Sequence, residues 1–348
     1  SPSVINTRCN ALWRKNSACA LFVTDMPQSR LSTAIQDGLL VLDAGHVGLM
    51  RPPASFDISD LPRGAVSVMH SYAPDVADWQ IAGHTVTQDL PPCGTAIVVV
   101  PRAKALAQAM IAQACAKADL VVVDGQRTDG VDSLFKACRA RLGDLPSITK
   151  GHGRLFWFPA TTAFADWAAA GPVQGQHGFY TAAGVFSDGA VDAGSALLAD
   201  ALPPKLPARM ADLGAGWGYL AQAVLARDSV ASLDLIEAEA LSLECARLNV
   251  ADPRARFHWA DALRFTPDKA YDGIVMNPPF HTGRAADAGL GRAFIQAASR
   301  LLAPHGKLWM VANRHLPYEA AMSESFRNVD IIGGNNAFKL FHATKPTR

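Results

Sequence analysis

The chain has 348 residues, of which 49% are hydrophobic and 18% charged; this excludes a disordered chain and, at this length, favours two domains over one. Net charge is +1. Residues 1–150 carry 14 basic and 13 acidic side chains and the remainder 18 of each, so there is no basic tail, and a nucleic-acid partner must be held by a local patch or by shape. The six cysteines, Cys9, Cys19, Cys93, Cys115, Cys138 and Cys245, form no CxxC pair and have no clustered histidines, which reads as reduced, mostly buried thiols with neither a metal site nor a disulfide framework. No apolar run of about 18 residues predicts a membrane helix, and the N-terminus lacks a signal-peptide layout. The expected location is cytoplasmic.

In chain order, residues 39–42 predict a short strand leading into Asp43-Ala-Gly-His-Val-Gly48. Residues 103–118 predict a helix and 119–123 a strand, which runs into Asp124-Gly-Gln-Arg127. A linker is expected within residues 145–180, where Gly171-Pro and Gly175 to Gly178 read as loop. The second half is clearer. Residues 208–213 predict a strand, Gly214-Ala-Gly-Trp-Gly218 a turn, 219–226 a helix, 230–236 a strand ending at Glu237, and 238–249 a helix. Residues 257–259 and 271–276 predict strands, 285–302 a helix stopped by Gly306, 307–312 a strand, and 328–343 a terminal pair around Gly333-Gly-Asn-Asn336.

Strands alternating with helices imply an α/β fold, a doubly wound and mostly parallel sheet with an antiparallel strand added at or near an edge. The first half repeats part of this grammar. Asp43 to Gly48 resembles Asp212-Leu-Gly-Ala-Gly-Trp-Gly218 with degraded glycine spacing, and Asp124 to Arg127 takes the place of Asn277-Pro-Pro-Phe280. An internal duplication is expected, its first copy stripped of chemistry.

Four features carry chemistry. The glycine turn after Asp212 lets a ligand lie close to the backbone at a helix N-terminus. Its Gly-x-Gly-x-Gly spacing, with Tyr219 next, departs from the dinucleotide fingerprint. Glu237 ends the following strand, where an acid can accept from both hydroxyls of a ribose; its plainer role is an acid at a helix start. Asp261 follows the next strand, where it can accept from an adenine amine or simply make a turn. Asn277-Pro278-Pro279-Phe280 follows an apolar strand. Two prolines cannot extend a sheet, so the segment presents acceptors: the Asn277 carboxamide oxygen and the Pro278 carbonyl can both accept from one amino group. Holding both N–H bonds aligns the nitrogen lone pair, and alignment then supplies most of the catalysis. Phe280 can stack on an extruded base.

Together these residues resemble the class I methyltransferases of the "small" domain type. Gly184-Val-Phe-Ser-Asp-Gly-Ala-Val-Asp-Ala-Gly-Ser-Ala-Leu-Leu198, Asn277-Pro-Pro-Phe-His-Thr-Gly283 and Val311-Ala-Asn-Arg-His-Leu-Pro-Tyr318 narrow the likeness to the bacterial ribosomal RNA guanine-N2 methyltransferases, and within them to the small-subunit methyltransferase C family. Gly151 to Phe156 resembles that family's junction more loosely. The likeness implies two tandem Rossmann-like domains, a degenerate copy for RNA docking over 1–165 and a catalytic copy over 166–348. It implies S-adenosylmethionine as cofactor, S-adenosylhomocysteine as product, ribosomal RNA or the small subunit as partner, and no metal or membrane. It further implies that Asp212, Gly214, Ala215 and Gly216 line the methionine part, Glu237 holds the ribose, and Asp261 and Ala262 hold the adenine. Asp192 and Gly194 help close the pocket, and Asn277, also bordering the cofactor, holds the target base with Pro278, Pro279 and Phe280. The chain has Glu237 where the family more often has Asp. His281 reads as a bystander.

The same four-residue motif also serves adenine-N6 methylation, and close relatives act on large-subunit guanine-N2 or on release-factor glutamine. A third reading is a non-catalytic protein that kept the fold. The intact motifs of the second half argue against it, and the 184–198 segment favours the small-subunit reading.

Overall fold

The computed structural model describes residues 28–42, 45–175, 177–185, 190–279 and 288–347. Among them the chain folds into two seven-stranded sheets. The first comprises β1 (Val47–Met50), β2 (Val66–Met69), β3 (Thr85–Thr87), β4 (Cys93–Val99), β5 (Ala118–Gln126), β6 (Ser147–Lys150) and β7 (Gly153–Pro159). A small hairpin, β8 (Val173–Gln174) and β9 (Tyr180–Thr181), stands between the sheets in sequence. The second comprises β10 (Arg209–Leu213), β11 (Ser232–Glu237), β12 (Ala255–Trp259), β13 (Tyr271–Met276), β14 (Leu302–Asn313), β15 (Phe326–Gly334) and β16 (Phe338–Pro346).

The two sheets share one topology. The orders are β3-β2-β1-β4-β5-β7-β6 and β12-β11-β10-β13-β14-β16-β15. In each, five strands are parallel and the last hairpin is antiparallel. The central strands are covered on both faces, which is why they read as apolar runs: Met210 to Leu213 and Ile274 to Met276 are buried throughout. Each sheet carries two hydrophobic clusters, built around Leu213, Tyr271 and Tyr318 or around Met210, Val224 and Trp309 in the second, and around Phe156 or Leu49 in the first.

The matching topology corrects three expectations. Residues 39–42 are not a strand. Asp37 and Gly38 end helix α1 (Arg30–Gln36), and Leu39 and Val41 are 57% and 74% exposed; the strand is β1, with all four residues buried. The counterpart of the glycine turn is therefore Arg51-Pro52-Pro53, after β1. Asp124 to Gln126 lie inside β5, which matches β14, not β13. By strand register the place of Asn277-Pro278 is taken by Val99-Val100, at the end of β4. Gly306 does not stop a helix. β14 starts directly after the helix Ala288–Leu301, and Gly306 sits at its register irregularity, where a Cβ would meet the Leu302 side chain at 2.8 Å. Residues 147–159 close the first sheet, which leaves 160–180 of the expected 145–180 stretch outside both large sheets.

The two sheets meet by their carboxyl ends. Ala73 N–H donates to Ala238 O at 2.8 Å and Ala240 N–H to Ser71 O at 2.9 Å, and Tyr72 and Glu239 form an antiparallel bridge.

Asp234 anchors the middle of β11. It is buried and accepts from Tyr271 Oη at 2.6 Å and from Arg256 Nε at 2.7 Å. Tyr271→Phe removes a buried bond to a charged acceptor. It is expected to lower unfolding stability by about 1.5–3 kcal/mol in urea titration while leaving the sheet order intact.

Candidate active site

The glycine turn joins β10 to α6 (Tyr219–Leu225). Its three glycines all have positive φ, at 72°, 55° and 92°, for different reasons. At Gly218 a Cβ would strike Val250 at 2.8 Å, so this glycine seats the helix against its neighbour. At Gly214 it would rest against Phe294 at 3.5 Å and Pro279 at 4.0 Å. At Gly216 it would meet nothing within 4 Å. The turn thus borders the Asn277-Pro-Pro segment on one side and open space on another.

Glu237, at the end of β11, closes this arrangement. Its carboxylate accepts from Gly216 N–H and from Glu239 N–H, each at 2.8 Å, and Ala260 N–H donates to its carbonyl at 3.0 Å. That last bond brings the segment of Asp261 alongside. Asp261 makes a local turn, accepting from Leu263 N–H at 2.9 Å. Ala215 is 8% and Ala262 4% exposed, and both side chains pack in the core, so only their backbone can face a ligand.

Asn277 follows β13. Pro278 is buried and Pro279 exposed; Phe280 and His281 lie outside the described residues. The Asn277 carboxamide nitrogen donates to Asp192 Oδ2 at 2.8 Å and to Ser195 Oγ at 2.9 Å. A carboxylate only accepts, which fixes the amide orientation and turns Oδ1 away from that helix. Asp192 is also the N-cap of α5 (Ala193–Ala201), accepting from Ser195 N–H at 2.8 Å. Gly194 faces no open space: a Cβ there would meet Phe338 at 3.0 Å and Asp192 Oδ2 at 3.1 Å. Asp192, Asn277, Pro279, Gly214, Gly216, Glu237 and the Asp261 segment therefore form one connected rim at the carboxyl end of the sheet.

Ser195 lies within the 184–198 segment that narrows the family likeness, and its place three residues after the capping Asp192 is the added cue to its partnership with Asn277. Arg51, which pairs with Glu239, and Tyr72 and Trp259, which join the 71–73 segment to the second sheet, carry no motif signal.

The rim is electrostatically unusual at Asp212. The side chain is 0% exposed, and neither oxygen finds a hydrogen-bond partner among the described residues. Burial pushes its carboxyl up to about 8, the nearby Glu237 charge adds to the rise, and the weakly aligned Ala221 amide opposes it. Burial likewise raises Glu237, against the amides of Glu239 and Gly216. Two desolvated acids beneath an open glycine turn suit a ligand carrying positive charge. Because the folded pKa of Asp212 lies above its unfolded value of about 3.9, its contribution favours folding at acid pH and is lost as pH rises toward 8. Asp212→Asn removes that titration. Measured by denaturant unfolding, the stability difference between variant and wild type is expected to move in the variant's favour by more than about 1 kcal/mol from pH 4 to pH 8; a pH-independent difference contradicts the assignment.

Comparison with known proteins agrees with this architecture. The Methyltransferase small domain model matches residues 176–342. A Ribosomal RNA small subunit methyltransferase C from Shewanella halifaxensis is 29% identical over 345 residues, covering 92% of this chain and 91% of the relative. The protein of that name from Shewanella oneidensis is 32% identical over 263 residues, covering 71% and 76%. Among solved structures, the T. thermophilus 16S rRNA N2 G1207 methyltransferase in complex with AdoMet and guanosine shares the fold, with a TM-score of 0.73 over 88% of this chain and 90% of that one at 24% identity. Sequence, topology and site agree, and the chain belongs to the ribosomal RNA small subunit methyltransferase C family.

Proposed function

We propose that the chain methylates the exocyclic N2 amine of a guanine in small-subunit ribosomal RNA, with S-adenosylmethionine as methyl donor. The observation that carries this reading is the tethered Asn277. With its amide nitrogen committed to Asp192 and Ser195, Oδ1 is the group left to receive an amino hydrogen, beside the Pro278 carbonyl and against the glycine turn.

When bound, the cofactor supplies an electrophilic methyl group and two cationic centres. The chain's residues fit it: Asp212 and Glu237 are buried acids whose ionised form a cationic ligand would favour, Gly216 offers the open backbone, and Glu237 and Asp261 stand at the ends of adjacent strands, suited to ribose and adenine. Asn277 Oδ1 and the Pro278 carbonyl accept the two hydrogens of the substrate amine. Drawing on both N–H bonds orients the nitrogen lone pair, so that positioning replaces a strong base. Asp192 and Ser195 act through Asn277 as positioning residues. Phe280 provides the stacking face.

The domain division follows from the same reading. Residues 166–348 form the catalytic unit and 1–165 a degenerate copy that docks RNA. Action on ribosomal RNA places the protein in the cytoplasm.

The test is labelled S-adenosylmethionine with small subunits, deproteinised small- and large-subunit RNA and a release factor, followed by mass spectrometry of the product. N2-methylguanine in the small-subunit arms is expected, and label confined to the large-subunit RNA or the release factor refutes the substrate. Asn277→Ala is expected to lower kcat by about 10²–10³ with cofactor affinity retained. Asp192→Ala is expected to lower kcat more than it raises KM for RNA, because Asn277 keeps its acceptor but loses its orientation.

A further inference from the structure

Among the described residues, the backbone bonds that join the first sheet to the second fall on the segment just after Glu237, and Arg264 pairs with Asp78 at 3.3 Å beside it. The backbone of residues 71–73 is bonded to that of 238–240. Trp259, at the end of β12, donates its indole N–H to both Ser71 O at 3.1 Å and Ala238 O at 2.9 Å. Arg51 occupies the position that the glycine turn holds in the second sheet. It takes a left-handed φ of 54° and pairs with Glu239 through Nη2 at 2.8 Å, both side chains being less than a fifth exposed. Its other guanidinium nitrogen bonds Ser71 Oγ. His70, 3% exposed, accepts the Tyr72 N–H on Nδ1 at 3.1 Å.

Tyr72 thus has its backbone fixed from both domains, yet its side chain stays 36% exposed, among the few large exposed side chains of the described residues. Burial raises its phenol to about 12, and the carboxylates of Asp261, Asp75, Glu237 and Glu239 add to the rise. Bridged through its backbone to Glu239 and next to Ser71, which the Trp259 indole holds, Tyr72 lies at the carboxyl ends of β11 and β12, beside their acids, and its phenol stays neutral at physiological pH. A flat, uncharged, rigidly mounted aromatic beside two acceptor acids is suited to a purine nucleoside.

We infer that Tyr72, supplied by the first domain, forms the adenosine-side wall of the cofactor site in the second. This rests on the reading of the site given above. The docking contact then has a functional reason: the copy that lost its own glycine turn completes the pocket of the copy that kept it, and the Arg51–Glu239 pair and the Trp259 indole hold the wall in register with Glu237.

The test is calorimetric titration of the full chain with S-adenosylhomocysteine and, separately, with methylthioadenosine, which lacks the amino-acid end. Tyr72→Ala is expected to weaken both ligands by about the same factor, roughly 5–10-fold, and Tyr72→Phe to stay within about twofold of wild type because the ring is what is used. Tyr72→Leu, which preserves bulk, serves if the alanine variant does not fold, with the same loss expected. Folded Tyr72→Ala or Tyr72→Leu binding both ligands as wild type does, or losing affinity for S-adenosylhomocysteine alone, overturns the inference while leaving the function untouched. Wild-type protein that binds neither ligand overturns the cofactor reading, and the inference with it.

Discussion

A carboxylic acid buried at the end of a central strand with no hydrogen-bond partner among the described residues is costly, and much of the second domain is arranged around the one at Asp212. Charged, it would sit in a low-dielectric interior beside Glu237; neutral, it still lacks a donor in good geometry. Either state subtracts from stability. The strands and helices that bury it supply the compensation through two dense hydrophobic clusters. A site kept in this condition is suited to a ligand with positive charge, and the surrounding features follow from making room for one: glycines in left-handed conformations, acids after β11 and β12, and two prolines that keep β13 from extending over the opening.

The two sheets show what remains when that requirement is lifted. Their strand orders and directions are the same, yet β1 runs into Arg51-Pro52-Pro53 where β10 runs into glycines. Trp79 donates to Pro52 O at 3.0 Å across the corresponding crevice. Val99 takes the position of Asn277, and Val100 after it bonds Asp124 O through its N–H at 2.9 Å. Asp124, on β5, has no acidic counterpart in β14 and is neutralised by Arg30 at 2.6 Å, which ties α1 to the sheet. The first copy has exchanged an open, strained turn for packed and paired groups, and its freed carboxyl edge serves as a docking surface.

The orientation of Asn277 illustrates how a short motif acquires its chemistry. A carboxamide can present either end to a substrate. Two acceptors on α5 settle which end, and one of them, Asp192, is already committed to capping that helix. Stability and positioning thus share one carboxylate, whose removal loosens both.

By itself the sequence determined what depends on neighbours along the chain. Strand β13 over Tyr271–Met276 and helix α6 were legible to within a residue, because apolar runs and a glycine turn act locally. So was the clustering of Asp212, Glu237, Asp261 and Asn277 at one sheet edge, because alternating strands and helices place every strand's carboxyl end on the same side. The first half was misread where its signals were weak: the apolar residues 39–42 imitate a strand, while the true β1 has four residues and no glycine turn after it. Only the tertiary structure decided that Asn277 is held from 85 residues away, that Arg51 pairs with Glu239 188 residues on, and that Tyr72 is bridged to Glu239 of the other domain. Such contacts are set by how two sheets pack, and side-chain periodicity, which reports only which face is buried, holds no record of what that face will meet.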